Sequence, residues 1–304
     1  MHAAHGGGDG LYHRAMRFRG AAEPYTYIVP LLALETLFVA VPLGIGFYYS
    51  LHKADYFQIS GFRGLDNYWA VLQSPLVHES LIATAIFAFG SLILTFVLGF
   101  SLALYLERDT RLNAFVRAVV LVPYVIAMLV GSLLLKWIFS RDAGVMDMML
   151  VPLGLGDVSI LADPKGAMAA LMYNAVWRDS AFAMVLLMAG LKAVDPRLYA
   201  AARVDGAGPF YRFYRLTLPL LRIPIFITVV RLLIHFVNVL TFALVLTGGG
   251  PGSATQTMGL TLYRIGFVDF KLGNASALAF LVLLFNLALI AVLLRLFRER
   301  RGAT

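Results

Sequence analysis

Six long, predominantly apolar runs, at 27–51, 81–106, 114–139, 167–191, 223–247 and 275–297, restrict this chain more than any other feature. A hydrocarbon layer of about 30 Å is crossed by about 20 helical residues, and every run is long enough. Backbone amides and carbonyls in lipid must be satisfied within the segment, so the runs are read as helices. The expected fold is all-α: six transmembrane helices with polar connections. Composition agrees, with 60% hydrophobic and 14% charged residues, against about 45–50% and 25% in a soluble globule.

The net charge of +8 would suit nucleic acid if it were gathered in one patch. Instead the Lys and Arg residues form short clusters between apolar runs, which is a membrane-orientation signal. The N-terminal tail, the second and fourth connections, the C-terminal end and the run ends beside them (Arg117 and Arg295) carry sixteen of them, from Arg14 to Arg301. The other connections carry six: Lys53, Arg63, Arg141, Lys165, Arg264 and Lys271. Both termini are therefore expected in the cytoplasm, with lipid rather than nucleic acid as the surrounding partner. The absence of cysteine excludes disulfides, thiolate metal sites and cysteine nucleophiles. The first 24 residues lack an apolar core, so a cleaved signal peptide is not expected. The first external connection, "ADYFQISGFRGLDNYWAVLQSP", has aromatics suited to a membrane interface. No Gly/Ser-rich linker divides the chain. The reading is a tail over 1–24, one membrane domain over 25–298 and a short end over 299–304.

The fourth connection is unusually elaborate: "YAAARVDGAGPFYRFYRLTLP" occupies 199–219. Asp195 can cap a helix with Pro196 in its first position. Asp205-Gly206 interrupts that helix, and Gly208-Pro209 offers a second start. Phe210, Phe213 and Tyr214 fall three and four apart, which predicts one aromatic face, with Arg212 and Arg215 off it. Pro219 and Pro224 mark the turn into the fifth run. The product is a helix–turn–helix with an aromatic and a basic side. It suits either lipid headgroups or a docking partner, and the residues alone leave both open.

No G-x-x-x-x-G-K-[ST] occurs, so nothing in the chain is built to cradle a triphosphate and Mg²⁺. His2, His5, His13, His52 and His78 are scattered without metal or catalytic spacing. Only His235 falls at membrane depth. Charges there cost about 2.5–3.5 kcal/mol each on insertion scales, which makes the few present informative. Arg231, His235, Asn238 and Phe242 are spaced four, three and four apart along one face of the fifth run. In the fourth run Asn174 and Arg178 share a face, with Trp177, Asp179 and Phe182 beside them. Each has a structural alternative: Asn174 or Asn238 joining helices, Arg231 snorkelling, Asp179 neutralising Arg178. Together they point to a water-accessible pathway.

The polar segment resembles the cytoplasmic EAA loop of ABC importer permeases, matching it at Ala201, Asp205, Gly206, Ala207, Leu218 and Pro219. "DPRLYAAARVDGAGPF" and "VLTGGGPGSATQT" are similar to marks of the carbohydrate-uptake branch, and the likeness covers 25–298. It implies the permease subunit of an ATP-driven importer for a sugar or sugar-like solute, neutral or anionic, in a bacterial inner membrane. Implied partners are a second homologous permease, two ABC ATPase subunits holding ATP and Mg²⁺, and a periplasmic or extracellular solute-binding protein. No cofactor, metal or catalytic residue is expected in this chain, which is not itself an enzyme. The coupling loop becomes 192–222, with Tyr199, Ala200, Ala201, Arg203, Asp205, Gly206, Ala207, Phe210, Phe213 and Pro219 as its docking residues. Ala200 stands where the family has Glu, leaving Asp205, the arginines and the aromatics to dock. The resemblance implies sugar contacts from Arg178, Asp179 and Phe182 before the loop, and from Leu232, His235, Phe236 and Val239 after it. The runner-up, a six-span secondary transporter driven by H⁺ or Na⁺, explains the buried His and Asp but not the loop.

Overall fold

The structure, a computed structural model, describes residues 28–141, 144–153 and 159–298. The tail over 1–24 and the end over 299–304 lie outside the described residues. Helix α1, Ile28–Ser50, leads into an antiparallel hairpin of β1, His52–Asp55, and β2, Gln58–Phe62. Next come α2 (Asp66–Leu72), α3 (Pro75–Tyr105), α4 (Arg111–Val125), α5 (Met128–Ile138) and α6 (Val145–Leu150). Then follow α7 (Pro164–Lys192), α8 (Pro196–Val204), α9 (Pro209–Arg212), α10 (Arg222–Asn238), α11 (Met258–Tyr263) and α12 (Leu272–Arg298).

Among the described residues four helices are long and apolar enough to cross a membrane: α1, α3, α12 and the Arg222–Thr247 run that begins with α10. Counting α4 and α5 as one bent span makes five. The predicted third run therefore does not form one straight helix; α4 and α5 meet at 95°. Pro123 supplies no N–H and its ring crowds the preceding turn. Ile126 and Ala127 then adopt extended ψ angles of 137° and 134°.

Helix α7 is long enough at 29 residues but falls outside the apolar set, because Asn174, Arg178 and Asp179 interrupt its apolar residues. Asn174, Asp179 and Ser180 are buried in it beside Ala170, Ala175, Ala181 and Ala183. That stripe of small side chains lets α3 lie close along it, the most extensive helix pairing among the described residues. Phe87, Leu171, Leu232 and Phe236 fill the centre, and Phe100, Leu106, Leu187 and Leu221 close the end nearest the 192–222 segment.

At the opposite end a buried polar layer fastens the "TGGGPGSATQT" loop to α3. Met258 donates its backbone N–H to Thr84 Oγ1 at 2.7 Å, Gln256 Nε2 donates to Thr261 Oγ1 at 2.9 Å, and the Thr261 hydroxyl meets that of Ser80.

Candidate translocation site and coupling segment

Packing of α7 against α10 brings Asp179, Arg231 and His235 together. The Asp179 side chain is 1% exposed, and its Oδ1 accepts from Arg231 Nη1 at 3.1 Å. His235 Nε2 lies 3.5 Å from Oδ2. Residues 231 and 235 are one turn apart on α10, so one carboxylate meets both. A carboxylate this deep requires such counter-charge. Arg231 also donates to Tyr124 Oη at 3.3 Å and sits 4.1 Å above the Phe182 ring. Tyr124 and Phe182 stack at 6.1 Å, and the Arg178 guanidinium lies over the Tyr124 ring, 5.4 Å from its centroid. Each of the two rings thus has a cation over it.

Arg178 is not neutralised by Asp179, the alternative raised above. Its Nη1 donates to the Ile126 carbonyl at 2.5 Å and the Pro123 carbonyl at 3.3 Å. These carbonyls flank the bend between α4 and α5, where the helical ladder is interrupted, so the guanidinium braces that corner. Asn174 takes the helix-joining role, donating to Ser132 Oγ of α5 at 2.8 Å. Asn238 is exposed and receives a hydrogen bond from Asn286 of α12 at 3.1 Å, which draws it toward α12 and away from the charge cluster. Leu232, Phe236, Val239 and Phe242 are buried in the core, and Trp177 packs half-buried against it. The site that forms is Asp179, Phe182, Arg231 and His235. Tyr124 joins them unforeseen: it lies in an apolar run, and its only local signal is the neighbouring Pro123.

The 192–222 segment begins as expected. Asp195 caps α8 by accepting from the Arg197 N–H at 2.8 Å. Gly206, at φ 78°, turns the chain toward α9. Ala200, Ala201, Arg203, Asp205 and Phe210 are exposed, while Tyr199 and Ala207 are half-buried. The three aromatics stay together, Phe210 against Tyr214 at 4.6 Å and Tyr214 against Phe213 at 5.3 Å, and Phe213 also meets Phe100 at 5.8 Å. The helical path runs from α9 through a wider-wound stretch, Phe213–Thr217, to Leu218–Leu220, and turns at Leu221, between Pro219 and Pro224.

Residues 95–302 match the family described as "Binding-protein-dependent transport system inner membrane component". The chain belongs to that family. It is a transporter permease, and the ion-driven alternative is set aside. Over 93% of this permease and 97% of the relative, it is 32% identical to the trehalose/maltose transport system permease protein MalF of Thermococcus litoralis. It is 30% identical to the sn-glycerol-3-phosphate transport system permease protein UgpA of Agrobacterium fabrum, covering 91% and 95% of the two chains. Its fold matches a chain of a bacterial ABC transporter that imports the acidic polysaccharide alginate, with TM-score 0.82, 21% identity and coverage of 96% and 100%.

In this permease the root of the polar segment is tied to the link between α3 and α4. Asp109 Oδ1 accepts from Lys192 Nζ at 2.7 Å and from Arg117 Nη2 at 2.9 Å. The hydrogen bond from Lys192, then that from Arg117, holds the Asp109 carboxyl below its ordinary pKa. A depressed carboxylate contributes stability that is present above its unfolded pKa of about 4 and is lost as pH falls through the folded value. Thermal midpoints of the wild type and Asp109→Asn are therefore expected to differ at pH 7 and to converge below about pH 4. A gap that persists in acid would disprove the tie.

Proposed function

We propose that this permease conducts a polyhydroxylated, carbohydrate-like solute along α7 and α10. An external solute-binding protein delivers it, and a second homologous permease completes the path. Two ABC ATPase subunits supply the ATP and Mg²⁺ chemistry. The observation that carries this reading is that the Asp179–Arg231–His235 cluster lies on the two helices joined by the 192–222 segment. Aromatic faces stack on sugar C–H surfaces while polar groups bond hydroxyls. Phe182 and Tyr124 supply the rings, and Asp179 Oδ2 and His235 Nε2, 3.5 Å apart, face each other without a closed hydrogen bond. The sugar and glycerol-phosphate permeases among the relatives support the same solute class.

In this reading α7 is the fourth of six spans. Its 29 residues extend about 43 Å at 1.5 Å per residue, ample for a bilayer. Both termini and the 192–222 segment then lie in the cytoplasm. The segment is a helix–turn–helix that docks on an ATPase subunit through Arg203, Asp205, Phe210 and their neighbours. A closing ATPase dimer shifts such a body as a unit and moves the two spans it joins.

Gly206 provides the test. A Cβ there would meet nothing within 4 Å, so Gly206→Val strains only the turn, by about 1–2 kcal/mol. The chain should insert and remain folded while substrate-stimulated ATP hydrolysis of the assembled complex falls. Ala200→Glu should be tolerated. Full stimulation and uptake in Gly206→Val would remove the coupling role from this segment.

A further inference from the structure

The hairpin turns on Tyr56 and Phe57, at φ 47° and 64°, between the paired residues Asp55 and Gln58. A two-residue turn with both central residues left-handed is one that Asn-Gly fills with little steric conflict. Aromatic residues strain it. Phe270, at φ 54°, is the third non-glycine residue in this region among those described.

The three are in contact. Tyr56 and Phe270 stack with centroids 5.6 Å apart, and Phe57 lies 5.9 Å from the same ring. The Tyr56 N–H donates to the Phe270 carbonyl at 2.9 Å, and the backbones of Asp55 and Lys271 pair in an isolated antiparallel bridge. This bracing does not hide the rings at the tip: Tyr56 is 70% and Phe57 73% exposed. Phe62 on β2 and Trp69 on α2 are exposed as well. A strained backbone is thus held in place to display aromatic side chains that the turn itself does not need.

The position of the hairpin names what they meet. β1 begins just after α1 ends, Phe270 just precedes α12, and α2 stops just before α3. All three flanking helices are of membrane length, and this is the face opposite the 192–222 segment. In the segments that carry the rings, Lys53, Arg63 and Lys271 are matched in number by Asp55, Asp66 and Asp269. Segments without one sign of charge suit a zwitterionic headgroup layer better than an oppositely charged protein patch.

We propose that the 52–62 hairpin, with Trp69, is an in-plane anchor whose occupant is the headgroup–acyl boundary of the bilayer, fixing the depth of the outer ends of α1, α3 and α12. Tyr and Trp favour that zone, being apolar in body and polar at one edge. The proposal does not depend on which solute is carried.

The chain has no cysteine, so Phe57→Cys offers a single attachment point for a nitroxide. With the full chain in phosphatidylethanolamine/phosphatidylglycerol vesicles, collisions with oxygen and with an aqueous nickel chelate report depth. The oxygen-to-nickel ratio at 57 is expected several-fold above that of free nitroxide in buffer, and below that of a label at Ile45→Cys within α1. Because Cys can relax the turn, Phe62→Cys supplies a second label with the same expectation. Water-like ratios at both positions would overturn the anchor. So would labels that are water-like in vesicles and become immobilised only when the transporter's soluble binding protein is added, since that result would make the rings a protein-docking surface.

Discussion

Asp179→Ala is expected to lower the stability of the permease by about 3 kcal/mol and to abolish uptake. The carboxylate is almost wholly buried, and its removal leaves the Arg231 guanidinium without its counter-charge. Breaking a buried pair from one side costs about 3–5 kcal/mol. The Arg231 side chain is 33% exposed, which puts the loss at the lower end, because water partly solvates the stranded cation. The double variant Asp179→Ala/Arg231→Met removes both charges and should recover most of the thermal midpoint without recovering transport. Stability and function would then separate, as required if the cluster serves both packing and the solute. Thermal unfolding of the detergent-purified complex, with uptake in vesicles, makes the comparison. A single Asp179→Ala variant that melts with the wild type would show that the pair contributes nothing to holding α7 on α10.

The second large effect is expected where α3 crosses α7. A Cβ on Gly99 would overlap the Ala183 Cβ and stand 2.9 Å from the Ser180 carbonyl oxygen and 3.1 Å from the Met184 nitrogen. Two of these are backbone atoms, which do not swing aside as the end of a side chain does. Gly99→Val should therefore force the helices apart, costing about 3 kcal/mol and reducing recovery of folded protein from membranes. Gly44→Val is the control: a Cβ there meets nothing within 4 Å. Ala183→Gly should rescue Gly99→Ala only in part, since the Ser180 carbonyl remains. Normal yield and melting of Gly99→Val would show that α3 and α7 are not pressed together at this level.

Hydrophobic run length made most helices legible, because lipid imposes one strict requirement on the backbone. Caps and breakers did the same for Asp195, Pro196 and Gly206. What stayed hidden depended on contacts remote in sequence. Nothing near Arg178 indicates that its partners are carbonyls at Pro123 and Ile126, more than fifty residues earlier. Helical spacing placed Asn238 with Arg231 and His235, yet spacing carries no information about a second helix, and Asn286 draws it away. The three-and-four rule did bring Phe210, Phe213 and Tyr214 together, but it describes an isolated helix and says nothing of Phe100, on which Phe213 also packs. Proline at 123 was visible in the sequence. Whether it would bend a helix slightly or turn it through 95° depended on an arginine able to saturate the exposed carbonyls.

That arginine and the buried aspartate are consecutive residues. On a helix with 3.6 residues per turn, neighbours point about 100° apart, so α7 holds the α4–α5 corner with one side chain and α10 with the next. A roll of α7 about its axis would displace both attachments at once, and its last residue, Lys192, is where the segment joining it to α10 begins. Under the proposed coupling, a twist entering at that end would act on the α4–α5 corner and on α10 together, like a crank with two throws.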